Sequence, residues 1–200
     1  MAESAHQFPE VHAALGIDLS KLGCIMADVD RIPVLDIMQT VHPHPAGDLY
    51  ESAHPDRFWI RGAVGEQGAH VTLLYGLLQP GPVWREHVDA LLATVQLDTV
   101  RISHVDLFDS PYPDEAYKCV VAHLELTPPL SLAHARLSYL PHVNTFPGYR
   151  AHVTLAYVKD GPALDVDWAR TIPEVWVRTL NERLAGRELA VTGIDYGGRP

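Results

Sequence analysis

Short apolar runs bounded by turn-forming residues recur along this chain, and each has the length of a β-strand. The run 70–77 follows the turn GEQG, and the run 151–158 follows the loop PHVNTFPGYR. Two runs flanking the segment DSPYPDE predict a hairpin with a long loop. Together the runs predict strands at 22–29, 58–64, 70–77, 100–108, 117–126, 151–158 and 188–194.

Other segments carry apolar residues at the spacing of an amphipathic helix. The clearest is 83–95, whose apolar side chains fall on one side: Trp84, Val88, Leu91, Leu92 and Val95. Ser131 is a candidate N-cap and Gly186 a candidate C-cap. Helices are predicted at 32–41, 83–95, 131–140 and 174–184.

Strands and helices mix without strict βαβ alternation, which favours an α+β fold with antiparallel or mixed sheets. A length of 200 residues fits a single domain. We expect that domain to cover 1–200, with a lead-in at 1–20 and a core at about 20–195.

One heptapeptide occurs twice, as AHVTLLY at 69–75 and AHVTLAY at 151–157. Six of the seven positions match. Each copy follows a strand and a helix and precedes another helix in the predicted order. A repeat of this kind indicates duplicated architecture. The sequence therefore predicts two pseudo-symmetric lobes around a central groove.

Strand geometry assigns the side chains of each copy to two faces, because successive residues point in opposite directions. One face carries a histidine and a threonine in each copy: His70 with Thr72, and His152 with Thr154. The other face is expected to carry the apolar set: Val71, Leu73, Tyr75, Val153, Leu155 and Tyr157. If the two strands meet, two imidazoles and two hydroxyls line one groove.

This set of residues suits phosphodiester cleavage by His70 and His152. A neutral histidine takes a proton from the attacking hydroxyl or water, and a protonated histidine gives one to the leaving oxygen. Thr72 and Thr154 can hydrogen-bond the phosphate oxygens as charge develops. The arrangement requires no metal and no cofactor. The residues alone do not decide which histidine is acid and which is base.

The paired motifs HVTL at 70–73 and HVTL at 152–155 resemble the signature of the two-histidine (2H) phosphoesterase superfamily. The resemblance covers roughly 20–195. It implies a bilobal α+β fold and metal-free chemistry on 2′,3′-cyclic phosphates or on 2′-5′ or 3′-5′ phosphodiesters. Known members include relatives of 2′-5′ RNA ligases, cyclic phosphodiesterases and phage anti-CBASS nucleases, which degrade cyclic oligonucleotide signals.

Several residues near the motifs are candidates for substrate binding. Tyr149, Arg150 and Phe146 precede the second motif, where an aromatic ring could stack on a base and a guanidinium could pair with phosphate. Trp59 and Arg61 precede the first motif in a weaker version of the same pattern. The loops 43–56 and 109–115 are candidates for the groove rim, with surface decoration as the alternative.

Composition narrows the choice of partner. With 15 basic and 25 acidic residues and a net charge of −10, the chain lacks the broad basic surface that long duplex nucleic acid requires. A small nucleotide or a short or cyclic oligonucleotide is the expected substrate. No signal peptide or membrane-spanning run is evident in the sequence, so we expect a cytoplasmic protein, in the host cytoplasm if phage-encoded. The 12 histidines include His-x-His at 42–44, but no motif supports a metal site.

Three functions follow as hypotheses. The first is cleavage of a cyclic or short oligonucleotide, as in the anti-defence nucleases. The second is a 2′,3′-cyclic nucleotide or 2′-5′ RNA phosphodiesterase or ligase. The third is a binding protein that sequesters a nucleotide without cleaving it, for which two intact His-x-Thr motifs are not needed.

Overall fold

The computed structural model describes residues 22–144, 148–160 and 172–197. The predicted lead-in at 1–20 and the candidate Phe146 lie outside the described residues. Six strands and five α-helices are present in the described part of the chain. The strands are β1 (Gly23–Val29), β2 (His70–Leu77), β3 (Thr99–Asp109), β4 (Tyr117–Leu124), β5 (His152–Lys159) and β6 (Glu188–Gly197). The helices are α1 (Val34–Gln39), α2 (Val64–Gly68), α3 (Arg85–Leu92), α4 (Pro128–Leu137) and α5 (Ile172–Leu184).

The six strands pair antiparallel throughout and close on themselves in the order β1-β2-β5-β4-β3-β6. This confirms the predicted α+β class. The predicted hairpin is also present, because β3 pairs with β4 from Ile102–Leu124 to Asp109–Lys118.

The duplication is visible in the order of the elements. The first half of the chain runs β1, α1, β2, α3, β3, with the short α2 before β2, and the second runs β4, α4, β5, α5, β6. In space, β6-β1-β2 and β3-β4-β5 form the two matching three-stranded halves. Each repeat therefore contributes its last strand to the half that the other repeat builds.

One apolar core lies between one face of the closed sheet and the helices. Val71 and Val153 are fully buried there, as is Trp176 of α5. Helix α5 ends at Leu184, and Gly186 follows with a φ of +81°, in agreement with the predicted C-cap.

Two predicted elements differ from the structure. The segment 58–64 is not a strand: Gly62 has a φ of +60°, which ends an extended run, and the predicted turn GEQG is part of helix α2. Helix α4 begins at Pro128 rather than Ser131, and Thr127 is at its N-cap position. Proline is favoured in the first turn because its missing N–H has no partner there in any case.

Among the described residues, no helix is both long and apolar enough to cross a membrane.

A buried polar contact ties α5 to the loop after α1. The Trp176 indole N–H donates to Asp48 Oδ2 at 2.8 Å, and Asp48 is only 2% exposed. The carboxylate also lies 3.5 Å from His42 Nε2. The indole N–H is buried away from water, so it relies on the Asp48 carboxylate as its hydrogen-bond acceptor.

We predict that Asp48→Ala lowers the free energy of unfolding by about 1–3 kcal/mol, because it leaves a buried donor without a partner. Asp48→Asn keeps an acceptor oxygen and should cost less. Urea unfolding measures both, with the exposed Asp36→Ala as the control. Equal losses for Asp48→Ala and Asp36→Ala would contradict this role.

Candidate active site

The two motif strands meet at one point. β2 and β5 are neighbours, and Val71 pairs with Val153 in an antiparallel register. That register places Thr72 beside His152 and His70 beside Thr154. The two histidines are then diagonal neighbours, a relation in which Cβ atoms lie somewhat closer than about 7–8 Å. The predicted meeting of the two copies is present in the structure.

The histidines and threonines share one face, here called the polar face: His70, Thr72, His152 and Thr154. All four are half-buried, whereas Val71 and Val153 between them are fully buried on the core side. The alternation that separates polar from apolar residues therefore holds through the first four residues of each strand. The two threonine hydroxyls and two imidazoles face the same space.

The alternation breaks at the same position in both copies. Leu73 has no partner in β1, because Met26 pairs with Thr72 and Ile25 with Leu74. Leu155 likewise has no partner in β4, because Val121 pairs with Thr154 and Val120 with Ala156. Each strand thus carries a β-bulge directly after the His-x-Thr pair.

The bulges correct the predicted placement of the tyrosines. Leu74 and Ala156 are buried beside the bulged leucines, and the residue after each returns to the polar face. Tyr75 is 37% exposed, and Tyr157 is half-buried, so neither belongs to the core face assigned to it from strict alternation. The residue inserted after each His-x-Thr pair reverses the facing of the residues directly beyond it.

Tyr75 and Tyr157 lie at one end of the polar face, and both are protonated phenols rather than phenolates. Burial raises the pKa of Tyr75, with smaller contributions from Cys24 and Tyr112. Burial also raises the pKa of Tyr157, whose ring meets that of Tyr117 edge-on at 5.3 Å. Both hydroxyls therefore keep their proton at neutral pH and can act as hydrogen-bond donors.

His152 is held by the backbone of its own approach loop. Its Nδ1 lies 2.7 Å from the Arg150 carbonyl oxygen, which can only accept, so the proton is on Nδ1 and the lone pair on Nε2. Burial lowers the pKa of His152, and Arg150 and His70 lower it further, against the opposing effect of this hydrogen bond. The neutral ring with a free Nε2 is the form that a general base requires.

His70 lies beside a carboxylate. Asp28 of β1 is its cross-strand partner. Burial and Asp195 raise the pKa of Asp28, while the neighbouring His70 lowers it. The two histidines thus have different surroundings: a backbone carbonyl and a guanidinium for His152, and a carboxylate for His70.

Strands β3 and β4 add an aromatic row next to His152. The Phe108 ring meets His152 edge-on at 5.0 Å and His123 at 5.4 Å. The Arg150 guanidinium lies over the Phe108 ring at 4.9 Å, and His104 stacks on His123 at 4.6 Å. These rings extend the polar face sideways.

His123 stays neutral over most of the pH range. Its pKa is lowered to about 4, chiefly by burial and then by His104, His152 and Arg150 in that order. Sequence reasoning did not single out Phe108, His123 or Asp28. The β3–β4 register pairs His123 with His104, and the β4–β5 register pairs it with His152; register cannot be read from alternation alone.

The structure separates the four predicted substrate-binding residues that it describes. Arg150 is exposed at the polar face, beside Phe108. Tyr149 donates its hydroxyl to the Thr72 carbonyl at 3.1 Å and stacks on His134 at 3.8 Å. Tyr149 therefore also braces β2 next to its bulge.

The remaining candidates lie farther along the loop before α2. Trp59 is 47% exposed and meets Phe58 edge-on at 5.6 Å. Arg61 is exposed and forms an isolated bridge with Glu51. A substrate role for these residues stays a prediction.

The two predicted rim loops contact each other. Arg57, just beyond the first loop, pairs with Asp114 and Glu115 of the second, and its guanidinium lies over the Tyr112 ring at 3.9 Å. The Ser52 hydroxyl donates to Glu115 at 3.0 Å. The buried Glu115 carboxylate therefore joins both loops.

Backbone hydrogen bonds attach the first loop to the motif strand β5. The Tyr50 N–H donates to the Tyr157 carbonyl at 2.9 Å, and the Tyr157 N–H donates to the Gly62 carbonyl at 3.0 Å. A second apolar cluster, Ile60, Tyr117, Cys119 and Val121, packs beneath the loops. This geometry supports a rim position at the tyrosine end of the polar face.

The His-x-His segment at 42–44 makes contacts with its own loop through both ring nitrogens of His42. His42 Nδ1 accepts the His44 backbone N–H at 2.9 Å, and its Nε2 faces Asp48. In the described part of the chain, His104, Asp106 and His123 form a group with the spacing for a metal ion.

Comparisons with known proteins add two solved structures. Scans against protein-family models and against curated proteins found no match. The chain is similar to Kluyveromyces marxianus Usb1, with 11% identity and a TM-score of 0.46 over 90% of this chain and 99% of that one. It is also similar to Kluyveromyces marxianus Usb1 with uridine monophosphate, with 11% identity and a TM-score of 0.47 over 91% and 100% of the two chains.

We predict that His123 titrates at a pKa of about 4 in an NMR titration of the imidazole signals, because burial disfavours its charged form. His104→Ala should raise this pKa by removing a like-charged neighbour. The exposed His87→Ala, on α3, should leave it unchanged. Titration of His123 at the ordinary value of 6.5 would show that the ring is not shielded as described.

Proposed function

We propose that this protein is a phosphodiesterase that cleaves a short or cyclic oligonucleotide by general acid–base catalysis with His70 and His152. The observation that carries the proposal is the pairing of Val71 with Val153, which brings both His-x-Thr motifs to one polar face. The resemblance of both motifs to the 2H phosphoesterase signature supports the same reaction class.

The reaction follows from the placement of the groups. One imidazole removes a proton from the attacking water or ribose hydroxyl, whose oxygen bonds to phosphorus. The opposite imidazole gives its proton to the oxygen that leaves. Thr72 and Thr154 donate hydrogen bonds to the non-bridging phosphate oxygens, where charge builds up in the transition state. Because each threonine sits beside the other motif's histidine, both motifs contact a single phosphate.

The surroundings of the two histidines support an assignment of roles. His152 is the general base, because its Nδ1 proton is committed to the Arg150 carbonyl and burial favours its neutral form. His70 is the general acid, because Asp28 beside it attracts an imidazolium. The neutral phenols of Tyr75 and Tyr157 add two donors at the far end of the face.

The substrate class follows from charge and from the aromatic row. A net charge of −10 disfavours long polyanions, while the single Arg150 next to Phe108 suits one phosphate and one stacked base. A cyclic oligonucleotide, as in anti-CBASS nucleases, is the first candidate. A 2′,3′-cyclic phosphate or a 2′-5′ linkage is the alternative substrate.

A cleavage screen in EDTA tests the reaction and the substrate together. The panel holds cyclic di- and trinucleotides, 2′-5′ and 3′-5′ oligoadenylates and nucleoside 2′,3′-cyclic phosphates, with products identified by mass. We expect turnover of one class by the wild type and loss of nearly all of it in His70→Ala and His152→Ala. Thr72→Ala and Thr154→Ala should each lower kcat by about 10²-fold or more, since each removes a donor to the developing charge.

The outcomes of the screen separate three functions. Activity that disappears in EDTA and returns with metal would overturn the metal-free mechanism. Tight binding of one ligand without turnover would identify a protein that sequesters nucleotides. An unchanged rate in His152→Ala would remove the paired-histidine mechanism altogether.

We predict a bell-shaped dependence of kcat/KM on pH. Its acidic limb should lie below 6.5, because the base, His152, has a pKa lowered from that ordinary value and so stays neutral to lower pH. Asp28→Asn should lower kcat/KM, because it removes the carboxylate that lies beside the proposed acid, His70, on the neighbouring strand.

The exposed Asp98→Asn, ahead of β3, is the matched control and should leave kcat/KM unchanged. An unchanged kcat/KM in Asp28→Asn would contradict a role for this carboxylate beside the acid. A rate that rises steadily with pH would contradict a protonated catalytic group.

A further inference from the structure

His104, Asp106 and His123 come together on the hairpin β3–β4. His104 and His123 are cross-strand partners, and Asp106 lies two residues along β3 on the same face. One potential ligand atom of each residue lies within 4.8 Å of the others. His104 and Asp106 are exposed, so their side chains have room to adjust around an ion.

A bulge in β3 orients the first imidazole. The register shifts between Ile102 and His104, which leaves Ser103 without a cross-strand partner and its hydroxyl beside the histidine ring. The Ser103 hydroxyl donates to the His123 carbonyl at 3.1 Å and lies 2.9 Å from His104 Nδ1. A hydroxyl has one proton, so Ser103 accepts the His104 Nδ1–H, and the lone pair of His104 is on Nε2.

This contact is the kind of support that metal-binding histidines receive, with one nitrogen donating to a fixed oxygen and the other facing the ion. The Asp106 carboxylate is fixed as well, because its Oδ1 accepts the Leu107 backbone N–H at 2.8 Å. Two of the three side chains are thus oriented by hydrogen bonds before any ion binds.

The ligand set matches Zn²⁺ in type and number. Zn²⁺ takes imidazole nitrogens and carboxylate oxygens at about 2.0–2.2 Å, and two ligands of a tetrahedral ion are then roughly 3.3 Å apart. Small side-chain rotations close the gap from the observed spacing. Three protein ligands leave a fourth position for water or a phosphate oxygen, as in zinc sites that are not purely structural.

We propose that His104, Asp106 and His123 form a binding site for a divalent transition-metal ion of the Zn²⁺ type. The site is separate from the acid–base pair, and its ligands come from β3 and β4. It lies beside that pair nevertheless, because the rings of His123 and His152 are 6.5 Å apart. The site does not depend on the proposed phosphodiesterase activity.

Calorimetric titration of the full chain with Zn²⁺, after removal of metals with EDTA, tests the site. We expect one equivalent to bind through these residues, with affinity lowered about 100-fold or more in His104→Ala, Asp106→Asn and His123→Ala. Ser103→Ala should lower it about 10-fold, as the loss of a supporting hydrogen bond does elsewhere. His104 and Asp106 are exposed, so their substitution should leave the circular dichroism spectrum and melting temperature unchanged.

Two controls locate the bound ion. His54→Ala removes an exposed histidine that pairs with Asp114 on the loops, and His70→Ala removes the acid of the catalytic pair. Both should keep the Zn²⁺ equivalent. Failure of the wild type to bind Zn²⁺, or binding that survives His104→Ala and Asp106→Asn, would overturn the proposal. Loss of the equivalent in His70→Ala alone would place the ion on the catalytic pair instead.

Discussion

The antiparallel contact between Val71 and Val153 is the constraint on which the site depends. β2 and β5 pair only at this point and then diverge. Beyond this point the loop before α2 forms backbone hydrogen bonds with β5 at Tyr157. The loop before β5 does the same with β2, where the Val143 N–H donates to the Gly76 carbonyl at 2.9 Å. Gly76 has a φ of +95° and the Val143 carbonyl where a Cβ would be, so only glycine fits there. The segment preceding each motif strand thus lies along the other motif strand.

The matching bulges at Leu73 and Leu155 divide each motif strand into two functional parts. Before the bulge, the alternation presents a histidine and a threonine to the polar face. After it, the reversed alternation presents Tyr75 and Tyr157 to that same face while keeping two consecutive residues in the core. The bulges therefore place three polar side chains of each heptapeptide on one face, rather than the two that a regular strand would provide.

The two identical HVTL motifs have different charged neighbours, and these neighbours set the electrostatic character of the site. Burial lowers the pKa of His152 and of His123, and Arg150 adds to both effects. His70, by contrast, lies beside Asp28. A duplicated sequence thus carries two histidines in different environments, which is what a reaction with one acid and one base needs.

The sequence by itself determined the α+β class, most of the strands and the His-x-Thr pairs. These depend on local periodicity and on an exact repeat, both of which are written in consecutive residues. The prediction of a strand at 58–64 was wrong, because Gly62 adopts a positive φ that composition does not reveal. The predicted facing of Tyr75 and Tyr157 was wrong, because a bulge is set by the register with a neighbouring strand.

Only the tertiary structure decided which distant residues join the motifs. Asp28, Phe108 and His123 reach the site through three registers, those of β1 with β2, of β3 with β4 and of β4 with β5. Register depends on how the whole sheet buries its apolar face, so no local pattern specifies it. The two His-x-Thr motifs can therefore be read from the chain, while the difference between the surroundings of the two histidines exists only once the sheet has closed.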